Sequence, residues 1–123
     1  MIVGHGIDLV SIERIQRLVV REAFLSRVYT PAEREYCTSR SDSVSSFAAC
    51  FAAKEAVSKA LGVGIGTRCA LKDVELLHDE NGSPVLRISG AALRTASETG
   101  ASRWHLSITH DERLAIASVI IEG

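Results

Sequence analysis

The stretch Asp42-Ser43-Val44-Ser45-Ser46-Phe47-Ala48-Ala49-Cys50-Phe51-Ala52-Ala53-Lys54-Glu55-Ala56-Val57-Ser58-Lys59-Ala60-Leu61-Gly62 decides the fold. Alanine recurs through it, and no proline or glycine interrupts it before Gly62, so its intrinsic preference is helical. Asp42-Ser43 supplies a start signal, and Gly62 supplies a left-handed stop. The predicted helix runs over about 44–61 and is the longest in the chain. Phe47, Ala48 and Phe51 mark its apolar stripe. Glu55 follows Phe51 by four residues and prolongs that stripe, and Lys59 follows Glu55 by four and shares its side. A carboxylate on an apolar stripe needs a partner, because burying it unpaired costs several kcal/mol or forces protonation.

Working outward, Ile2-Val3-Gly4-His5-Gly6-Ile7-Asp8-Leu9-Val10 reads as a strand. Its alternation puts Val3, His5, Ile7 and Leu9 on one face and Ile2, Gly4, Gly6, Asp8 and Val10 on the other. The glycines leave space beside Asp8 for a ligand or for another backbone. Ser11 caps a helix starting at Ile12, along which Arg14, Arg17, Arg21 and Arg27 gather on one side, with Ile15, Leu18 and Val19 on the other. Thr30-Pro31-Ala32-Glu33 starts a further helix that runs to about Ser39. After the long helix, Gly62-Val63-Gly64-Ile65-Gly66 forms a mobile loop. Strands at 72–78 and 84–89 are joined by Asp79-Glu80-Asn81-Gly82, a hairpin signal. A helix over 90–99 stops at Gly100. A last hairpin, 103–110 and 114–121, turns at Asp111-Glu112-Arg113. In its first strand Trp104, Leu106 and Ile108 face one way, and His105, Ser107 and Thr109 the other. The whole is an α/β fold of the α+β type, an antiparallel sheet packed against a long central helix.

The chain has 123 residues, which predicts a single domain over 1–123 with one hydrophobic core. Fourteen basic residues against fifteen acidic ones give a net charge of −1, which argues against a general nucleic-acid binder. Cys37, Cys50 and Cys69 are odd in number and lack CxxC spacing, so neither a disulfide framework nor a cysteine zinc site is expected, and the compartment is read as a reducing cytoplasm. No leader pattern and no membrane-length apolar run is present.

Asp8 and Glu55 are far apart in sequence, and both are carboxylates on apolar elements. They fit a shared magnesium ion, which takes a few carboxylates together with water and substrate phosphate oxygens. The competing reading pairs Asp8 with an arginine and Glu55 with Lys59, an exposed helix pair worth only ~0.3–0.5 kcal/mol. The glycines of 62–66 bring backbone N–H groups toward a phosphate or simply loosen the helix exit, and no Gly-Lys-Ser/Thr follows to make a Walker loop. The polar set His105, Ser107, Thr109 and His110 lines a substrate or faces water, and no nucleophile elbow accompanies it. The arginines after Ser11 dock an acidic helix or are solvated.

Together, three segments resemble the holo-[acyl-carrier-protein] synthase family of 4′-phosphopantetheinyl transferases: Gly6-Ile7-Asp8-Leu9-Val10-Ser11-Ile12-Glu13-Arg14-Ile15, the run from Phe51 to Gly66, and Trp104-His105-Leu106-Ser107-Ile108-Thr109-His110-Asp111, with Asn81-Gly82-Ser83-Pro84 between the last two. The resemblance covers nearly the whole chain. It implies the phosphopantetheinyl transferase fold. It also implies transfer of 4′-phosphopantetheine from coenzyme A to a serine of apo acyl carrier protein, with release of adenosine 3′,5′-bisphosphate. In that frame Asp8 and Glu55 are the magnesium ligands. Glu55, Lys59 and Asp111 are the catalytic candidates, with Glu55 or Asp111 as base. Ser58, Lys59, Gly62, Gly64, Pro84, His105, Ser107, Thr109 and His110 contact coenzyme A. Arg14 and Arg21 receive the carrier protein. A homotrimer with sites at subunit boundaries is also implied. One departure stands out: the family usually has arginine just before Phe-Ala-Ala-Lys-Glu-Ala, where this chain has Cys50, and Arg40 is a candidate replacement. A binding module that holds coenzyme A but transfers poorly is the alternative.

Overall fold

The computed structural model describes residues 1–123 and realises the expected α+β architecture. In chain order the elements are β1 (Ile2–Ser11), α1 (Ile12–Leu18), α2 (Glu22–Val28), α3 (Pro31–Ser39), α4 (Ser43–Ala60), a 3-10 turn (Leu71–Asp73), β2 (Val74–His78), β3 (Pro84–Ile88), α5 (Gly90–Glu98), β4 (Arg103–His110) and β5 (Leu114–Glu122). β5 lies between β1 and β4 in one antiparallel sheet, and β2 and β3 form a second, two-stranded one.

The long helix is α4, and it forms for the reasons its sequence suggests. The Asp42 carboxylate accepts a hydrogen bond from the Ser45 N–H at the start, and Gly62 follows the end with φ of +77°. Ala48, Ala52, Ala53, Ala56 and Val57 are fully buried, so the helix sits in the core with little polar surface.

Of the two readings of the glycines in β1, the structure realises close backbone approach. A Cβ on Gly6 would stand 2.1 Å from the Ala56 carbonyl oxygen, and one on Gly4 would stand 2.2 Å from that of Ala60. The absence of side chains lets α4 rest directly on β1. Gly6→Ala is therefore expected to destabilise the fold by about 3 kcal/mol, as overpacking against rigid backbone does. An unchanged urea midpoint would contradict the close approach.

The arginine-bearing segment differs from the expectation. The helix after Ser11 ends at Leu18, and a separate helix, α2, begins at Glu22. Arg14 and Arg17 therefore belong to α1, Arg21 is the N-cap position of α2, and Arg27 lies in its last turn, so the four do not share one helical face. The β-branched pair Val19-Val20 stands at the break, and Val20 is exposed. α2 has no side-chain cap to announce it.

Glu33 completes the expected capping box: its carboxylate accepts from the Thr30 N–H at 2.8 Å, and Thr30 Oγ1 accepts from the Glu33 N–H. It also does more than cap. Glu33 and Lys54 are both fully buried and form an ion pair at 2.8 Å. Lys54 Nζ donates further to the carbonyls of Leu71 at 3.0 Å and Val74 at 2.6 Å. Glu33 Oε2 accepts from the Leu76 N–H at 2.8 Å and the Cys50 thiol at 3.1 Å. One satisfied buried pair thus joins α3, α4 and β2. All three cysteines are free and buried.

The sheet faces are unlike each other. α4 covers the face of Gly4, Gly6 and Asp8. The other face runs in register as His5–Ile120–His105, Ile7–Ser118–Ser107 and Leu9–Ile116–Thr109. Ile7 and Leu9 there are 56% and 57% exposed, a sheet face with no covering layer.

Candidate active site

Two carboxylates from remote elements meet where β1 passes the C-terminal half of α4. Lys59 Nζ bonds Asp8 Oδ1 at 3.0 Å and also the Ile7 carbonyl at 3.0 Å. The expected i, i+4 pair between Glu55 and Lys59 does not form, because Lys59 reaches across to Asp8 instead. Burial pushes the Glu55 carboxyl above its ordinary range, and the neighbouring Asp8 adds to this, while Lys59 and Arg14 pull it back. Asp8 and Glu55 are thus close enough to repel, an arrangement a fold does not need for stability alone. These two hard oxygen donors, with solvent beside them, fit magnesium, which keeps several positions for water and phosphate oxygens.

Ser58 and the glycine loop adjoin this pair. The Ser58 hydroxyl is buried and donates to the Glu55 carbonyl at 2.7 Å. The N–H groups of Gly62, Val63 and Gly64 bond the last carbonyls of α4, and Gly66 N–H bonds the Cys69 carbonyl. Gly62 and Gly64 hold positive φ, so they make the turn that only glycine adopts easily, with open space on their surfaces.

A cavity of about 280 Å³ opens on another flank of α4. It brings together Pro84 and His110 with Tyr36, Arg40, Cys50 and His78. At 100° per residue, Ser46, Ala49 and Cys50 lie roughly 120–180° around α4 from Glu55. The cavity and the carboxylate pair of one chain are therefore back to back. His105, Ser107 and Thr109 are separate again, on the uncovered sheet face, opposite to the face that carries Asp8. His105 there pairs with Glu122 at 2.5 Å. Asp111 stands at the tip of the last hairpin, where Oδ1 accepts from the N–H groups of Arg113 at 2.7 Å and Leu114 at 2.8 Å. Those bonds hold its carboxyl below the ordinary range, which fixes the turn and weakens it as a base.

One chain thus gathers Asp8, Glu55 and Lys59, gathers Pro84 and His110 elsewhere, and keeps His105, Ser107 and Thr109 on a third surface. Sequence reasoning gave no role to Tyr36, His78 or Lys54, and none to Glu33 beyond its place in the capping box. The lysine carried a signal, since a cation within Phe-Ala-Ala-Lys-Glu-Ala has to be paired where the helix is buried. The Tyr36–His78 contact joins residues from different elements and carried none.

A sequence profile described as the 4′-phosphopantetheinyl transferase superfamily matches residues 4–119. A holo-[acyl-carrier-protein] synthase from Trichlorobacter lovleyi is 46% identical, over 100% of this chain and 99% of its own length. The chain belongs to the holo-[acyl-carrier-protein] synthase family. Among solved structures, the holo-[acyl-carrier-protein] synthase of Neisseria meningitidis superposes with a TM-score of 0.90 at 36% identity, covering 100% of both chains. The enzyme from Bacillus anthracis, in complex with coenzyme A (3′,5′-ADP), superposes with a TM-score of 0.82 at 36% identity, covering 98% of this chain and 96% of that one. The chain is accordingly an enzyme, a phosphopantetheinyl transferase with holo-[acyl-carrier-protein] synthase activity. No helix is long and apolar enough to cross a membrane.

Proposed function

We propose that this chain, as one domain over 1–123, transfers 4′-phosphopantetheine from coenzyme A to a serine hydroxyl of an apo acyl carrier protein. Adenosine 3′,5′-bisphosphate is released, and the reaction depends on magnesium held by Asp8 and Glu55. The observation that carries the metal reading is the pair itself: two acids brought together from β1 and α4, where burial first and then the charge of Asp8 raise Glu55, with Lys59 bonded to Asp8.

The serine oxygen forms a bond to the phosphorus that carries pantetheine. The bond from that phosphorus to the bridging oxygen breaks, and its electron pair departs on the bisphosphate. Magnesium, when bound, neutralises pyrophosphate charge and polarises that phosphorus. Glu55, acting through an intervening water, is the candidate acceptor for the serine proton, whereas the Asp111 carboxylate is tied into its turn. Lys59 offsets charge on the departing bisphosphate, or protonates it, by moving its ammonium from Asp8 to the oxygen. The cavity beside Pro84 and His110 takes the nucleotide end of coenzyme A.

The three separated groups support assembly across copies. A homotrimer that covers the exposed Ile7 and Leu9 face would set His105, Ser107 and Thr109 of one copy beside the carboxylate pair of another. A cytoplasmic location and a role in fatty-acid synthesis accord with this substrate. Arg14 and Arg21 are both exposed and free of ion pairs, Arg14 lies close enough to Glu55 to pull its carboxyl down, and the two suit an acidic carrier helix. Replacing both with Glu is expected to raise the KM for carrier roughly tenfold at low salt, with the difference shrinking as salt rises. Identical kinetics across a salt series would remove them from the interface. The activity itself is tested by incubating the protein with coenzyme A, magnesium and an apo carrier and weighing the carrier by intact mass spectrometry. One added phosphopantetheine, lost with EDTA, is the expected result. Full modification in EDTA would refute the metal dependence.

A further inference from the structure

Three polar contacts on one side of α4 tie it to neighbouring elements. The Tyr29 hydroxyl donates to the Phe47 carbonyl at 2.9 Å. About one turn on, the Cys50 thiol donates to Glu33 Oε2 at 3.1 Å, and burial pushes that thiol well above its ordinary range, so it keeps the proton it donates. A further turn on, Lys54 meets Glu33 Oε1 at 2.8 Å and the carbonyls of Leu71 at 3.0 Å and Val74 at 2.6 Å. These acceptors use every proton of the ammonium. Glu33 is itself held by the Thr30 and Leu76 N–H groups. Positions 47, 50 and 54 share one helical face, so the fastening runs along a single side of α4.

Around Asp8, the sheet side of α4 has no comparable fastening. Gly6 presents no side chain, and the β5 residues opposite Asp8 and Val10 are Ala117 and Ala115. The helix answers with Ala52, Ala53 and Ala56, all fully buried. Small groups on both surfaces set how closely two elements approach, but without ridges to interlock they define axial position and rotation poorly. The polar link on that side is Lys59 to Asp8 and the Ile7 carbonyl, and a pair as exposed as this is too weak to hold a helix in register. A buried ion pair is in turn a poor source of stability, because apolar residues of similar volume often serve as well, and its best-attested use is to fix register.

We propose that Lys54, with Glu33, is a positioning residue: the pair pins the axial and rotational register of α4 and thereby sets Glu55, the next residue, against Asp8. This rests on the reading of Asp8 and Glu55 as the active-site carboxylates. Residue 55 is turned about 100° from residue 54 and lies about 1.5 Å further along the axis, so a slip of α4 at the pin carries Glu55 with it. A misplacement on the order of 1 Å is enough to cost ~100-fold in a reaction that depends on orientation.

The test uses the double variant Glu33→Gln, Lys54→Met, which leaves no buried charge, and Glu33→Asp, which keeps both charges and withdraws the acceptors by one methylene. Ala96→Gly, a core change in α5 outside the pair, is the reference for lost stability alone. Each is assayed at a temperature where its denaturation curve shows it fully folded. The readouts are kcat, the KM for carrier, and magnesium affinity by calorimetry without coenzyme A. Both pair variants are expected to lose roughly tenfold or more in kcat and in magnesium affinity, with the KM for carrier unchanged. Ala96→Gly should keep the wild-type values. A folded pair variant with wild-type kcat and magnesium affinity would overturn the inference. An equal loss in Ala96→Gly would overturn it too, because stability would then be the whole effect. Wild-type protein that binds no magnesium would overturn the metal reading, while a kcat lost only in the pair variants would still support the pin. Full kcat in Glu55→Gln would remove Glu55 from the site, and this inference with it.

Discussion

Asp8→Ala should lower phosphopantetheine transfer by about a thousandfold or more while leaving the fold intact, because it removes one of two oxygen donors proposed for the metal. The partner it strands is Lys59, whose side chain is 52% exposed and can turn to water. An ion pair so placed contributes at most about 1 kcal/mol, so the melting temperature should barely move. Two further readings follow from the same substitution. Magnesium affinity measured by calorimetry without coenzyme A should fall below detection. In the metal-free protein, Glu55 should titrate at a lower pH than in the wild type, because the charge of Asp8 is one of the influences that raise it. Burial remains, so the shift is downward but incomplete, and carboxyl carbon NMR would follow it. Near-wild-type turnover by a folded Asp8→Ala would refute the ligand assignment.

Lys54→Met should have the largest effect on stability, about 3–5 kcal/mol, because it leaves Glu33 charged and unpaired in the core. The substitution keeps the volume and removes the ammonium, so the loss is electrostatic rather than a cavity. It also strips the Leu71 and Val74 carbonyls of their donor. Glu33→Gln combined with Lys54→Met should recover part of the loss. The Thr30 and Leu76 N–H groups donate to different oxygens of Glu33, so the amide oxygen still accepts from one of them and the other loses its acceptor, but no buried charge remains. Chemical denaturation of the two variants decides it. A double variant less stable than the single one would show that the lysine acts through packing alone.

The core scaffold was readable because each signal was local. The long helix declared itself by its alanines, its Asp42 cap and Gly62, and the last hairpin by its alternation. The pairing of Asp8 with Glu55 was also legible, since an acid on an apolar stripe asks for an explanation at once. The partner of Lys59 was not. Spacing favoured Glu55 four residues away, but the close rest of α4 on Gly4 and Gly6 brings Asp8 nearer. The break before α2 was hidden because that helix has no cap. The distribution of the site was hidden for a different reason. Alternation along β4 separates His105 from Trp104, but only the register across β5 shows that His105 and Asp8 lie on opposite faces. The cavity wall of Tyr36 and His78 was equally silent, because it joins α3 to β2.

That separation is the centre of this account, which holds that each active site is shared between copies. The direct measurement is complementation. Asp8→Ala and the double variant His105→Ala, Thr109→Ala should each be inactive alone. Co-expressed with different tags and purified as mixed trimers, they should regain about a third of wild-type transfer, because one boundary in three then joins two intact halves. Mixed oligomers that stay inactive would contradict a shared site, and would require all of these residues to act within one chain.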